Sequence, residues 1–131
     1  MNTQQKIAFL LADYAVRVIA ARFVPELAEL TPIRSLETAS AAYIYINNSV
    51  TYTNNHASAY TRFYAARAAD NAANVIRIAD NAIYYAIRVT NTTITAANTT
   101  ITAADTSDIG NHYIIDMREL INIAIDPDRY W

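Results

Sequence analysis

Small apolar residues recur between positions 65 and 89 at alternating steps of three and four, the spacing of one side of an α-helix. This small stripe comprises Ala65, Ala68, Ala72, Val75, Ala79, Ala82, Ala86 and Val89. A second row, here called the contact row, has the same spacing and comprises Arg67, Asp70, Asn74, Arg77, Asn81, Tyr84 and Arg88. The two-residue offset is roughly 200° at 3.6 residues per turn, so the rows lie on opposite sides of one helix.

Apolar spacing also predicts a helix near the start of the chain. Thr3 is suited to cap it, and Pro25 is expected to end it because proline lacks an N–H and restricts the residue before it. Residues 26–30 then fit a short helical turn. The predicted apolar side of this first helix comprises Ile7, Leu10, Leu11, Tyr14, Val18 and Ile19.

Thr31 followed by Pro32 predicts the start of a second helix, with threonine as the cap and proline at the first helical position. A break is expected within residues 47–56, where asparagines accumulate. The predicted inner face of this helix comprises Ile33, Leu36, Ser40, Tyr43, Ile44 and Asn47.

A long helix is predicted from about residue 56 to residue 89, with a kink near residues 70–71. The repeat TTITAAN–TTITAAD at residues 92–105 could form a strand or a helix, because threonine and isoleucine favour strands. Its seven-residue period continues the small stripe and favours a helix. Residues 108–111, which include the single glycine, predict a break.

The last predicted helix runs over residues 112–125 and is closed by Asp126 and Pro127. Its expected buried residues are Ile114, Met117, Leu120, Ile121 and Ala124. Together these patterns predict a single all-α domain over residues 1–131, a compact bundle of four to six helices with one long central helix. A single glycine and three prolines leave few tight turns for a many-stranded sheet.

Composition narrows the classes of function. Ten Lys/Arg against twelve Asp/Glu give a net charge of −2, so nucleic-acid binding has no support from overall charge. The chain has no cysteine, which fits a reducing compartment, and no apolar run long enough for a membrane span. A cytoplasmic protein without membrane contact is therefore expected.

Catalytic patterns are absent from the sequence. One glycine cannot supply a phosphate-binding loop or a nucleophile elbow. His56 and His112 are 56 residues apart and neither belongs to a metal-spaced pair such as HExxH, and Asp70 and Asp80 are nearly three helical turns apart. We therefore expect no enzyme activity, no cofactor and no metal site.

The contact row has two interpretations, and the simplest is a solvated outer face. A solvated face usually carries Lys and Glu, however, whereas this row offers Arg, Asn and Tyr, and Arg and Tyr are enriched at binding hot spots. Tyr60 and Tyr64 extend it upstream at matching spacing. The small stripe is an ordinary core seam on its simplest interpretation. The C-terminal Trp131 is either part of a frayed tail or a docking element, and a lone terminal Trp more often packs against its own domain.

The run AARAADNAANVIRIADNA at residues 65–82 resembles a diffuse group of alanine-rich helical proteins of bacteria and phages, some of which are described as immunity proteins. The likeness covers about residues 56–127. Asn, Ile and Thr replace much of the alanine here, and the repeat at 92–105 is not part of that pattern. The resemblance implies a protein that binds and inhibits another protein, and it assigns no active residues.

These observations favour a binding protein that blocks a macromolecular partner, in a bacterial immunity or phage anti-defence setting. The partner would be another protein or protein complex, and the expected partner-binding residues are the contact row with Tyr60 and Tyr64. The alternative is a structural homo-oligomer, such as a homodimer, assembled through the small stripe or the tyrosine-rich face. Nucleic-acid binding through the arginines of the row is the least favoured class.

Overall fold

The computed structural model describes residues 2–22, 25–48, 65–70, 72–73 and 109–131. These ranges contain α1 (Thr3–Tyr14), α2 (Leu36–Asn48), α3 (helical residues 65–70 and 72–73) and α4 (Ile109–Ile125). Shorter helical turns join or follow them, and no strand occurs in the described ranges. The predicted all-α class is therefore confirmed for the part of the chain that the structure describes.

Several sequence predictions concern positions outside those ranges. They include the extent of the long helix beyond residues 65–73, the structure of the repeat at 92–105, and the break expected within 47–56, of which only residues 47–48 are described. The predicted kink near 70–71 and the burial of Ile114 likewise involve a residue or side chain outside the described ones. Within the described ranges, no helix combines the length and the apolar character needed to cross a lipid bilayer.

Asn2, not Thr3, caps α1. Its backbone is extended, its side chain accepts the Gln5 N–H at 2.8 Å, and the Gln5 side chain accepts the Asn2 N–H at 3.1 Å. This reciprocal capping box satisfies two N–H groups that the first helical turn leaves without partners. The predicted cap at Thr3 was one residue late, because Thr3 is already the first helical residue.

A wide turn follows α1 and changes which residues face the core. Ala15–Ile19 form a π-helix, closed by the Ala20 N–H bonding the Ala15 carbonyl, and Ala20–Arg22 form a 3₁₀ turn. The π turn has i→i+5 bonds and takes in more residues than an α turn. Buried residues accordingly recur in pairs at steps of four, at 11–12, 15–16 and 19–20. Val18 falls between two pairs and is 39% exposed, so its predicted place on the apolar side was wrong.

The sequence predicted that Pro25 ends the first helix. In the structure, Pro25 begins a separate helical turn and does not end α1. The α-helical part ends at Tyr14, and the π and 3₁₀ turns carry the helical run on to Arg22. Pro25–Glu29 then form a 3₁₀ turn that buries Leu27. The helical turn predicted for 26–30 is thus confirmed. Proline is well suited to the first position of such a turn, because it has no N–H and an N–H at that position would have no partner within the turn.

The start of α2 lies at Leu36, several residues after the predicted start at Thr31 and Pro32. Ser35 caps the helix reciprocally with Thr38: the Thr38 N–H donates to Ser35 Oγ at 3.2 Å, and the Ser35 N–H donates to Thr38 Oγ1 at 3.0 Å. Residues 31–34 are irregular, and the Ile33 N–H donates to the Asp13 carboxylate at 2.9 Å. The Ile33 N–H is thus bonded to a side chain of α1, whereas in a helix starting at Thr31 it would be available to the capping residue.

The inner face of α2 is built from small residues. Ala39, Ala42 and Ile46 are buried, whereas Ile44, predicted to face inward, is 55% exposed, and Asn47 is exposed as well. The predicted face was therefore wrong at both positions. The buried positions recur at steps of three and four, and two of them are alanines, which allow the helix to lie close to its neighbours.

Helix α4 begins at Ile109 and includes Gly110, so the predicted start at 112 was late and the predicted break does not interrupt the helix. It ends at Ile125, and Pro127–Arg129 form a 3₁₀ turn, which confirms the predicted stop. The predicted buried face was wrong in part. Ile121 is 53% exposed and Ala124 is exposed, while Asp116, Leu120 and Ile123 are buried among residues 115–125, whose side chains the structure describes.

The core lies between α1 with its π turn and the other helices. Its largest fully buried side chains include Phe9, Leu11, Ile19, Leu27 and Ile33. Helix α1 contacts both α4 and the 3₁₀ turn after it. The described alanines of α3 join the same core, each no more than 6% exposed: Ala65, Ala66, Ala68, Ala69, Ala72 and Ala73. The core-seam interpretation is thus confirmed for the first three members of the small stripe.

Candidate functional site

Helix α3 has one open side within residues 65–73. Arg67 is exposed and Asp70 is half-buried, whereas the six described alanines around them are buried. Arg67 stands two residues after Ala65, roughly 200° around the helix, which places the guanidinium opposite the core. The two described members of the contact row therefore mark the outward side of α3. The other expected contact residues lie outside the described residues: Tyr60, Tyr64, Asn74, Arg77, Asn81, Tyr84 and Arg88.

A carboxylate in α1 forms the centre of a polar network. Both oxygens of Asp13 accept from Arg17 Nη1 at 3.2 Å, and one accepts the Ile33 N–H at 2.9 Å. Arg34 Nη1 lies 3.5 Å from the same carboxylate. The Asp13 side chain is only 13% exposed. These contacts hold the irregular segment before α2 against α1, which indicates a structural role for the network.

A second buried polar contact links α1 to α4. The Tyr14 hydroxyl donates to Asp116 Oδ1 at 2.8 Å, and Asp116 is 1% exposed. A charged-acceptor hydrogen bond in a buried place is stronger than one at the surface, and it offsets part of the cost of burying the carboxylate. This contact explains why an aspartate occupies an inward-facing position of α4.

The C-terminal residues pack against α1. The ring centroids of Trp131 and Phe9 are 6.5 Å apart, and the Lys6 ammonium and the Arg34 guanidinium lie 5.9 Å and 5.7 Å from the Trp131 ring. Lys6 Nζ also pairs with Asp128 at 2.8 Å. We call this group the terminal clasp. Trp131 therefore packs against its own domain, as was expected to be more common for a lone terminal Trp.

Exposed apolar side chains occur on α2 and α4. Ile44 and Tyr45 of α2 line a shallow depression with Ala41 and Asn48. On α4, Ile121 is 53% exposed and Ile125 is 76% exposed. In the part of the chain that the structure describes, no group of three metal-ligating side chains occurs. His112 lies in α4, and His56 is outside the described residues.

Comparison with protein-family models, curated proteins and solved structures finds no match for this chain.

Sequence reasoning missed the polar contacts made by Asp13 and Asp116. Asp13 and Arg17 stand four residues apart on one helix, a spacing that favours an ion pair and could have drawn attention to them. Asp116 stands four residues before Leu120 and seven before Ile123, so it shares their side of the helix.

Proposed function

We propose that this chain is a small cytoplasmic all-α binding protein that inhibits a macromolecular partner by steric blocking. Its contact surface is the contact row together with Tyr60 and Tyr64. The proposed architecture is a bundle of four to six helices in which one long central helix carries this row along its outer side. The partner is another protein or protein complex, and no cofactor takes part.

The observation that supports the proposal best is the sidedness of α3. Arg67 is exposed while Ala65, Ala68 and Ala72 are fully buried. If the same helical spacing continues to Arg88, the row forms a line of arginine, asparagine and tyrosine side chains on the outer surface. Side chains of this kind supply much of the binding energy in protein interfaces, whereas the lysines and glutamates of ordinary solvated faces do not.

A bacterial immunity protein or a phage anti-defence protein is the proposed setting. The alanine-rich run at residues 65–82, which resembles such proteins, supports it. The alternative of self-assembly through the small stripe gains no support from α3, because the described alanines of the stripe already pack inside the chain.

The test begins with a tagged pull-down from bacterial lysate, with bound proteins identified by mass spectrometry. Binding of the captured protein is then measured by calorimetry. Replacing Arg77 and Tyr84 together by alanine should weaken binding by more than about 2 kcal/mol, because large hot-spot side chains are removed. Arg67→Ala should weaken it at least tenfold, or about 1.4 kcal/mol.

Arg129→Ala is the matched control, since Arg129 is exposed but lies in the 3₁₀ turn after α4. It should bind like wild type. The fold of every variant is checked by circular dichroism. Wild-type affinity in the Arg77/Tyr84 double variant would show that the contact row is not the binding surface. A gel shift with nucleic acid at low salt, where electrostatic binding is strongest, should be negative.

A further inference from the structure

The outer side of α4 carries large apolar side chains toward solvent. Arg118, Ile121 and Ile125 follow each other at steps of three and four, and all three are exposed. We call them the α4 outer face. The opposite side of the same helix carries the buried Asp116 and Leu120. The α4 outer face is therefore a surface of its own, turned away from the core.

Two large apolar side chains are exposed side by side on this face. Isolated exposed apolar residues are normal on proteins, but here two isoleucines stand one helical turn apart, and Ile125 is 76% exposed. Burying the two isoleucines against a partner would remove apolar surface from water and so stabilise the complex. A partner that covers this face must match its apolar centre.

Charges flank the isoleucines in a definite order. The exposed Arg118 precedes them along the helix, and the exposed Asp126 follows them. Asp126 makes no side-chain capping bond to the 3₁₀ turn that it precedes. Ile115, 50% exposed, lies one turn before Arg118. From Arg118 onward, the order along the chain is a positive residue, two exposed isoleucines and a negative residue.

We propose that the α4 outer face binds α4 of a second copy of this chain, with the two helices antiparallel. An antiparallel pair centred beside Asn122 puts Arg118 of each copy about four residues, or roughly 6 Å along the axis, from the centre, near the place where α4 of the other copy ends and Asp126 follows. The same alignment brings the isoleucines of both copies within about one turn of each other. Two-fold symmetry repeats every contact.

A parallel pair does not satisfy these charges. It would put Arg118 beside Arg118 and Asp126 beside Asp126, and like charges at close distance repel. In the antiparallel dimer the charges of Arg118 and Asp126 are complementary, and no other charged residue is needed. One helix from each copy makes a small interface, so the dimer is weak and depends on protein concentration. This inference is independent of the contact row, whose two described members, Arg67 and Asp70, lie on α3.

The first test is sedimentation velocity on the full chain over a range of concentrations up to about 1 mM. Wild type should shift from monomer to dimer as its concentration rises. Ile125→Lys should raise the dimer dissociation constant at least tenfold, because it puts a charge at the apolar centre. Ile44→Lys is the matched control on α2, where Ile44 is 55% exposed, and should dimerise like wild type.

Charge exchange tests the antiparallel alignment. Arg118→Asp alone and Asp126→Arg alone should each weaken the dimer several-fold, because each puts like charges opposite one another. The double variant with both changes should restore the wild-type dissociation constant. A dimer that ignores both single changes would overturn the proposed alignment.

The absence of cysteine allows a direct proximity test. Asn122→Cys introduces a unique thiol beside the proposed two-fold axis, where paired helices bring Cα atoms to distances that a disulfide can bridge. Mild oxidation should cross-link two copies rapidly, and adding Ile125→Lys should suppress the product. Asn48→Cys on α2 should cross-link slowly.

Three results would overturn the proposal. They are a concentration-independent monomer, a dimer that is equally sensitive to Ile44→Lys and Ile125→Lys, or a captured foreign protein that Ile125→Lys releases while the chain itself stays monomeric. The last result would assign the α4 outer face to a different partner. Loss of partner binding in the contact-row variants does not bear on this dimer, so the two proposals fail separately.

Discussion

At the scale of single residues, the Asp13 carboxylate joins segments twenty residues apart in the chain. It accepts the Ile33 N–H and pairs with Arg17 and Arg34 while its own side chain is 13% exposed. A charged acceptor that satisfies a backbone N–H is worth more than a surface ion pair, because an unmade bond would leave that N–H without a partner. Asp13 thus fixes the path of the chain into α2.

Two replacements of Asp13 should separate the contribution of its hydrogen bond to the Ile33 N–H from the contribution of its ion pairs with the arginines. Asp13→Ala is expected to lower the free energy of unfolding by about 2–3 kcal/mol, because it removes the acceptor of the Ile33 N–H and the carboxylate that pairs with Arg17 and Arg34. Asp13→Asn keeps an acceptor oxygen and should cost about half as much. Urea unfolding followed by circular dichroism measures both. Equal losses would show that the backbone bond to Ile33 contributes nothing.

At the scale of elements, helix α3 contributes close packing more than apolar area. All six of its described alanines are buried, and each methyl group contributes little burial by itself. Their small size lets the backbone of α3 approach its neighbours toward the lower end of the usual 8–10 Å between helix axes. A helix of this kind tolerates loss of area better than gain of volume.

Ala68→Leu should therefore overpack the core. Ala68 is fully buried, and inserting a larger side chain there is expected to lower the free energy of unfolding by about 1–3 kcal/mol. Ala41→Leu, the same change at an exposed position of α2, serves as the control and should stay within about 0.5 kcal/mol of wild type. Thermal melts of the two variants compare them directly. An unchanged melt for Ala68→Leu would show that α3 is loosely packed.

At the scale of the whole molecule, the terminal clasp closes the fold. It joins Lys6 and Phe9 of α1 to Asp128 and Trp131, and Arg34 approaches the same ring from the segment before α2. Aromatic packing and cation–π contacts each contribute about 0.5–1.5 kcal/mol. The clasp therefore couples the last turn of the chain to the first helix and to the start of α2.

Trp131→Ala should lower the free energy of unfolding by about 1–2 kcal/mol, because it removes the ring that three side chains contact. The control is Ile125→Ala in α4, where the Ile125 side chain is 76% exposed. This change should lower the free energy of unfolding by less than about 0.5 kcal/mol. Chemical denaturation measures both variants. If they lose equal stability, the clasp does not stabilise the fold.

Helical periodicity predicted the class of the fold, the end of α4 and the burial of the first alanines of the small stripe. It failed where a bond to a distant residue or a change of helix type decides the outcome. Ile33 stays outside α2 because its N–H bonds Asp13, and Val18 turns outward because a π turn changes the spacing. Neither cause is visible in a local pattern.

The candidate contact surface was predicted from its spacing and residue types alone. Arg67 is exposed, as a residue opposite the small stripe should be, and binding at that surface remains the proposal that the variants test. The α4 outer face was not predicted, because Ile121 was assigned to the core. Its apolar spacing fits two sides of α4, and the burial of Leu120 and Ile123, together with the Tyr14–Asp116 bond, shows which side faces inward.

The terminal clasp also sets the order of events during synthesis. Lys6 and Asp128 are separated by 122 positions, and a ribosome that adds about 5–20 residues per second needs roughly 6–24 s to cover that distance. The Phe9 side of α1 therefore leaves the ribosome long before Trp131, which packs on it, is made. The clasp can therefore form only after residues 128–131 have been made, and until then the part of α1 that Trp131 contacts lacks this neighbour.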